Sequence, residues 1–172
     1  MDLLDKLSKH EVREFVSKSW LTHDAMWFYC TLQECGAETA NRLNKSAVRA
    51  MAGIEIQRIM KLMGDPRPEI KTFTQLQEII DTTFRFIKPD FMKLYYGTPE
   101  INLFVGGFHE CFAHDGLKKF GMIDSYDCGV VARVSTWFET LGVKFEILQD
   151  IEKGCLMHKY GKCEIAYRFF LE

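Results

Sequence analysis

The sequence predicts an α+β fold, in which N-terminal helices precede a small antiparallel sheet of about four strands packed with helices. Helix-capping residues and helical apolar spacing fill the first half of the chain, and short runs of aromatic and β-branched residues follow in the second half. We expect a single domain over residues 1–172. It has a helical portion over 1–64 and an α+β portion over 72–172, separated by a break rich in proline and glycine at 64–68.

Four helices are expected before the first strand, over residues 8–20, 25–36, 37–63 and 72–87. Ser8 and Glu11 have the spacing of a capping box at the start of the first helix. Thr22 or Asp24 can cap the second helix, and Gly36 is placed to end it in a left-handed conformation. The fourth helix has two alternative caps, Thr72 with Gln75 or Thr74 with Gln77. It should end before Pro89.

The second half of the chain predicts two hairpins with two helices between them. The expected strands are 91–96, 101–108, 143–148 and 162–171, and the expected helices are 110–120 and 126–141. The first hairpin should turn through the four residues 97–100. Gly121 and Gly142 are placed to stop the two helices.

Composition and charge exclude several classes of partner. A formal net charge of -2 and a pI near 6.2 disfavour nucleic-acid binding, which usually shows a basic patch. The start of the chain lacks the pattern of a signal peptide, and no apolar run is long enough to span a membrane. We therefore expect a cytoplasmic protein, in which cysteines serve as free thiols, metal ligands or catalytic groups rather than disulfides.

Six cysteines provide the main chemical signal in the sequence. Two of them, Cys30 and Cys35, lie in an apolar helical stretch and are expected in the core. Four thiolates, or three thiolates and an imidazole, suit zinc, and four thiolates also suit an iron-sulfur cluster. The C-x-x-C pairs typical of zinc sites are missing, so a set of buried, inert thiols is an equal alternative. The candidate metal ligands are Cys111, Cys128, Cys155, Cys163 and His158.

Helix starts provide a second interpretation of these thiols. Cys111 and Cys128 are expected at the first turns of two helices, where free amide groups and the helix dipole favour a thiolate. A thiolate could act as a nucleophile with a histidine as base, and His114 lies one helical turn from Cys111. Asp115 is expected to point elsewhere, so the sequence offers no ready triad.

Aromatic and basic residues suggest a pocket for a small molecule. An apolar pocket with one cation and a few polar groups is typical of such sites. The alternative is that both tryptophans are core, the histidine is part of a helix cap and the arginine is a solvated side chain. The candidate ligand-binding residues are His23, Trp27, Arg133 and Trp137.

Three segments also resemble known families. The runs 23–28, 124–142 and 154–164 together resemble a family of uncharacterised cytosolic proteins from bacteria. The ending 155–169 resembles the close of vinyl-reductase-type small-molecule-binding domains, which implies helices on one side of a small antiparallel sheet, a small ligand and sometimes a metal. The thiol pattern is similar to that of aminothiazoline-carboxylate hydrolase-like proteins, which implies a hydrolytic role for Cys111, Cys128 and Cys163.

The sequence thus leads to three hypotheses for function. The first is a cytosolic small-molecule-binding protein with a Cys/His metal site, holding zinc or an iron-sulfur cluster. The second is a cysteine-dependent hydrolase that acts on a small thiazoline- or amide-like substrate. The third is a non-catalytic oligomeric interaction module, in which a helix-rich surface is buried in a homodimer.

Overall fold

The computed structural model describes residues 2, 4–66, 68–149, 151 and 153–172. Over these residues the chain forms five α-helices and one antiparallel sheet of four strands, so the predicted α+β class is confirmed. Short 3-10 helices cover Leu4–Lys6 and Ile123–Ser125. The main elements are α1 (Lys9–Leu62), α2 (Phe73–Ile87), β1 (Leu94–Glu100), β2 (Leu103–Phe108), α3 (Phe112–Lys119), α4 (Val130–Thr140), β3 (Phe145–Ile147), α5 (Leu156–Tyr160) and β4 (Cys163–Phe169).

Helix α1 consists of two arms that meet at Gly36. This residue has φ 77° and ψ 169°, a backbone conformation outside the helical region that glycine adopts without steric cost. We call residues 9–35 the N-terminal arm and residues 37–62 the C-terminal arm. The capping box of Ser8 and Glu11 is confirmed. The expected break near residue 22 is wrong, because Thr22 does not cap a new helix but donates its hydroxyl to the Lys18 carbonyl at 2.7 Å within the arm.

Helix α2 begins where the first of its two alternative caps predicts. The Thr72 side chain accepts the Gln75 N–H, and the Gln75 side chain in turn accepts the Thr72 N–H. The helix ends at Ile87, two residues before Pro89, as expected. Among the residues described between the two helices, Gly64 has a positive φ of 89°, which matches the predicted break.

The sheet has the strand order β1-β2-β4-β3, with every neighbouring pair antiparallel. The expected loop at 97–100 is wrong, because these residues belong to β1 and pair irregularly with β2 between Gly97 and Glu100. The turn instead falls at residues 101–102, where Asn102 has φ 62°. The second predicted pairing, β3 with β4, is confirmed, and the short helix α5 between them was not predicted.

One face of the sheet packs against three helices to form the main core. Phe104 of β2 lies opposite Tyr167 of β4, and both side chains are buried. The helical side of this core comes from the C-terminal arm of α1, from α2 and from α4, with Ile56, Leu76 and Phe138 almost fully buried. Within the described chain, none of the helices combines the length and the apolar character needed to cross a membrane.

Candidate ligand and metal site

A cavity of about 450 Å³ lies beside this core, within the size range of small-molecule sites. Both arms of α1 line it, together with α4, the first three residues of α3 and the inner faces of β2 and β4. Most of the lining side chains are apolar, with Phe28, Met51, Phe104, Phe108, Val134 and Ile165 among them. The cavity therefore suits a ligand that is apolar over most of its surface.

All four cysteines of the second half of the chain line this cavity. Cys111 and Cys155 immediately precede α3 and α5, Cys128 lies two residues before α4, and Cys163 is the first residue of β4. Residues far apart in sequence thus bring their thiols to one wall, and we call these four residues the cavity thiols. The other two cysteines, Cys30 and Cys35, were expected in the core but are exposed on the N-terminal arm, because their helix faces lie away from the body.

Asp127 holds two of the cavity thiols in place. Its carboxylate accepts the Gly154 N–H at 2.7 Å and the Lys45 ammonium at 3.1 Å. Its own N–H donates to the Asn41 side chain at 2.7 Å, and the Cys128 N–H donates to the Gly154 carbonyl at 3.3 Å. The segments that carry Cys128 and Cys155 are therefore fastened to each other and to α1. Sequence reasoning gave Asp127 no role, and its place beside Cys128 was the only local signal.

A close backbone approach positions Cys163. A Cβ atom added to Gly107 of β2 would lie 2.0 Å from the Cys163 carbonyl oxygen and 2.7 Å from the Tyr95 hydroxyl. The Tyr95 hydroxyl donates to the Glu164 carboxylate at 2.9 Å and lies 3.3 Å from the Cys163 carbonyl. Only glycine leaves room for this arrangement, so Gly107 is required where β4 enters the cavity wall.

Burial dominates the ionisation of three cavity thiols, those of Cys111, Cys128 and Cys163. It raises the pKa of Cys128 to about 12 and that of Cys163 to about 11, and it also raises the pKa of Cys111. Amide groups near Cys111 and Cys128 act in the opposite direction, as expected at helix starts, but their effect is smaller. The expectation of activated thiolates at these two positions is therefore not met, and the three thiols are protonated at neutral pH unless a cation binds them.

The spacing of the sulfur atoms is wider than in a closed zinc shell. Zinc–sulfur bonds of about 2.3 Å in a tetrahedron place neighbouring sulfurs about 3.8 Å apart. Among the residues that the structure describes, no three cavity thiols have sulfurs within 4.8 Å of one another. The donor types fit zinc. Each thiolate charge would raise the pKa of the neighbouring thiols, and a bound divalent cation would lower those pKa values again. Metal binding would require the sulfurs to move closer together.

The histidines near the cavity are tied to carboxylates. His158 lies outside the cavity lining and contacts Asp124, with 2.8 Å between Nε2 and Oδ1. His114 lines the cavity, and its Nδ1 lies 2.8 Å from an Asp115 carboxylate oxygen. The expectation that Asp115 points away from His114 is wrong, because the Asp115 side chain bends back to its neighbour's ring. A histidine–aspartate pair therefore lies one helical turn from Cys111.

Two of the four candidate ligand-binding residues line the cavity and two do not. Arg133 and Trp137 project from α4 into it. His23 borders a separate shallow depression with Phe15. Trp27 is 64% exposed, and its ring makes a T-shaped contact with the ring of His23. The alternative of a buried, core Trp27 is also wrong, because this residue lies on the outer side of the N-terminal arm.

Arg133 is fixed by a partner that the sequence did not reveal. The Glu55 carboxylate accepts two hydrogen bonds from the Arg133 guanidinium, at 2.9 and 2.5 Å, and one from the Trp137 indole at 3.0 Å. The guanidinium also lies 5.5 Å from the ring centroids of Trp20 and Trp137. Glu55 and Arg133 are 78 residues apart, and no local pattern marks them as a pair.

A second group of metal-ligand types lies on the surface, away from the cavity. His10, Glu14 and Asp90 approach one another within 4.8 Å. Glu14 accepts the N–H groups of Asp90 and Phe91, and His10 contacts Asp90 at 2.6 Å. Arg13 lies 3.7 Å from Glu14 and 3.9 Å from Asp90, so a cation is already present. These contacts explain the group as an attachment of the α2–β1 loop to the N-terminal arm.

The helical half of the chain matches a known protein family. The profile of a family of unknown function matches residues 4–90, which is just over half of the 172 residues. The chain belongs to the DUF6125 family. Among curated proteins, none matches the chain.

The DUF6125 match covers α1 and α2 and ends before β1. It therefore includes Glu55 and Phe28, which belong to the cavity and its supporting network, and includes none of the cavity thiols. Family membership thus gives no activity for the cavity thiols.

Proposed function

We propose that this is a cytoplasmic protein that binds a small molecule in the cavity and holds a metal ion, zinc, through cavity thiols. The observation that carries the proposal is the convergence of four cysteines from four separate segments on one apolar cavity. Four thiols that line one cavity are placed where a single ligand or ion could contact several of them. All six cysteines are free thiols, which fits a reducing compartment.

The sulfur donors of the wall suit a soft, thiolate-binding cation. Burial raises the pKa of Cys128 to about 12 and that of Cys163 to about 11, so a bound cation would have to displace both protons, and its positive charge would offset the thiolate charge that burial disfavours. When bound, zinc would supply a Lewis acid at the end of an apolar cavity. Cys111 and Cys155 would complete a four-thiolate set, which suits an iron-sulfur cluster as well. His158 enters the set less readily, because it is held by Asp124 outside the cavity.

Elemental analysis of protein purified without oxygen tests the metal site. We expect about one zinc per chain, or iron with acid-labile sulfide if the group is a cluster. The variants Cys128→Ser and Cys163→Ser should lose the metal, whereas Cys30→Ser, on the exposed arm, should retain it. Equal metal content in all variants, or metal-free protein that binds none when zinc is added, would contradict the proposal.

A thiol hydrolase is the second candidate, and the His114–Asp115 pair favours it. A histidine oriented by a carboxylate beside a cysteine is the arrangement that nucleophilic thiol enzymes use. The raised pKa of Cys111 opposes this role, since the thiol is then protonated at neutral pH. Rapid alkylation of Cys111 in metal-free protein at pH 7, lost in His114→Ala, would favour the hydrolase.

The homodimer stays a prediction. Large apolar side chains are exposed on the N-terminal arm, with Phe15 at 72% and Val16 at 57% exposure, and they are where a second copy would make contact. Sedimentation over a concentration series would detect association, and a Phe15→Ser variant should shift it toward monomer.

A further inference from the structure

The N-terminal arm forms one wall of the cavity but contributes little to the core. Six of its residues, from Ser17 to Phe28, line the cavity. Phe28 is the only fully buried residue of this arm, whereas the C-terminal arm buries five residues. Among the residues that the structure describes, no member of the main core comes from the N-terminal arm. The arm therefore lies against the body of the protein as a cover.

Phe28 fastens the arm over the end of the cavity that carries the thiols. It belongs to a second, smaller cluster of buried side chains, which is separate from the main core. Its ring makes a T-shaped contact with Tyr126, with 5.3 Å between the ring centroids. Cys155 is a member of the same cluster, and Leu32 and Cys128 pack against its margin. Removing Phe28 from this cluster would therefore uncover cavity thiols while the main core stays packed.

Polar contacts hold the far end of the arm. Glu14 accepts the N–H groups of Asp90 and Phe91, at 2.9 and 3.3 Å. His10 and Arg13 also contact the Asp90 carboxylate, at 2.6 and 3.9 Å. We call these five residues the latch. The side chains of His10 and Asp90 are more than half exposed, and ion pairs of this kind contribute little to stability.

Gly36 allows the arm to move as a unit. Its backbone conformation is one that glycine adopts and leaves at little cost, and a Cβ atom added there would meet no atom within 4 Å. A few such residues are enough to form a hinge between rigid elements. The arm's other aromatic contacts lie near the surface, with Trp20 against Arg133 at 5.5 Å and Tyr29 against Phe120 at 6.2 Å. Trp20 and Tyr29 are 44% and 37% exposed.

We infer that the N-terminal arm is a lid that opens about Gly36, that the latch holds it closed, and that Phe28 seals the thiol end of the cavity. Opening breaks contacts of the arm alone, which is typical of a local rather than a global transition. An open lid gives a metal ion or small molecule a path to the cavity thiols, and a closed lid excludes water from what has bound. This role in access rests on the proposed function of the cavity, whereas the movement of the arm does not.

Alkylation of the cavity thiols measures the opening. The full chain, freed of metal by a chelator, is treated with iodoacetamide at pH 7, and peptide mass spectrometry follows each cysteine. Glu14→Ala changes a latch residue about 21 Å along the helix from Phe28, or 14 residues at 1.5 Å each. We expect alkylation of Cys128 and Cys155 to become at least about tenfold faster, as for the loss of a hydrogen bond to a charged group. The two exposed cysteines of the arm should react at an unchanged rate.

Two variants of the same arm serve as a control and as a second test. Glu34→Ala removes an exposed glutamate outside the latch and should leave the alkylation rates unchanged. Gly36→Ala adds a Cβ atom that has room, but it disfavours the positive φ of the closed lid, so it should also speed alkylation of the cavity thiols. Hydrogen exchange of the β2 and β4 amides should not change in Glu14→Ala, because these strands lie outside the arm.

The outcomes separate the lid from the proposed metal site. Unchanged alkylation of Cys128 and Cys155 in Glu14→Ala, or equal acceleration in Glu34→Ala, would show that the latch does not control access and would overturn the inference. Faster exchange of the β2 and β4 amides by the same factor would also overturn it, because the thiols would then be reached by global unfolding. A chain that binds no added zinc but shows the faster alkylation in Glu14→Ala would refute the metal function and leave the lid in place.

Discussion

Removing the Glu55 carboxylate should destabilise the protein more than removing any surface carboxylate. The side chains of Glu55 and Arg133 are only 15% and 20% exposed, and Glu55 accepts three hydrogen bonds. In Glu55→Ala the Arg133 guanidinium remains partly buried without its counter-charge, and the Trp137 N–H loses its acceptor. Both groups then bear a desolvation penalty that the native contacts offset.

The size of the effect follows from the burial of the pair. Breaking a fully buried ion pair by removing one partner costs about 3–5 kcal/mol. Residual exposure of both side chains places this pair near the lower limit, so we expect a loss of about 3 kcal/mol in the free energy of unfolding. For a chain of this length, that loss corresponds to a fall of about 6–12 °C in Tm.

The same two helices provide a matched control. Arg49 of α1 and Glu139 of α4 form an ion pair at 3.6 Å, but their side chains are 53% and 52% exposed. Glu139→Ala should cost less than about 1 kcal/mol, as is usual for exposed pairs. Both variants replace a helical glutamate by alanine, so differences in helix propensity cancel between them.

Equilibrium unfolding in urea, followed by circular dichroism and tryptophan fluorescence, measures both variants. The double variant with Arg133→Met adds a second check, since removing both partners should cost less than the sum of the single losses. The reasoning is refuted if Glu55→Ala and Glu139→Ala lose the same stability, or if the double variant is strictly additive.

Three further predictions concern the thiols, the carboxyl group of Asp24 and the glycine Gly107 of β2. In metal-free native protein at pH 7, iodoacetamide should modify the two exposed cysteines, Cys30 and Cys35, well before the cavity thiols. The reason is that burial raises the pKa of Cys128 to about 12 and that of Cys163 to about 11, so little reactive thiolate is present. Peptide mass spectrometry that finds a cavity thiol modified first would contradict this prediction. Asp24→Asn should raise the Tm of ligand-free protein at pH 7. Burial raises the pKa of Asp24 in the folded chain, so the ionised form weakens folding at neutral pH. The gain should vanish below about pH 3, where the carboxyl is protonated in both the folded and the unfolded chain. A gain that is independent of pH would exclude this cause. Gly107→Ala should lower the free energy of unfolding by about 1–3 kcal/mol or more, because the added Cβ would lie 2.0 Å from the Cys163 carbonyl oxygen. Gly97→Ala serves as the control in the same urea titration, because no atom lies within 4 Å of its added Cβ.

Much of the local structure could be predicted from neighbouring residues. The capping boxes at Ser8 and Thr72, and the chain reversals at Gly121 and Gly142, depend on side chains within three or four residues and on the steric freedom of glycine. Where a competing local interaction was present, the prediction failed. The Thr22 hydroxyl bonds within its helix instead of starting a new one.

Local patterns of residues were therefore sufficient to predict the α+β class, the order of most elements and the types of donor that could bind a metal. Which of those donors meet depends on the packing of the folded chain. It exposed Cys30 and Cys35, gathered four other thiols around one cavity, and paired Glu55 with Arg133 across 78 residues. Packing also reversed the expected ionisation of two thiols. Helix starts favour the thiolate form locally, but burial depends on the whole packed chain and raises the pKa of Cys111 and Cys128. Capping and helical periodicity act over a few residues, but burial and charge pairing depend on residues that folding alone brings together.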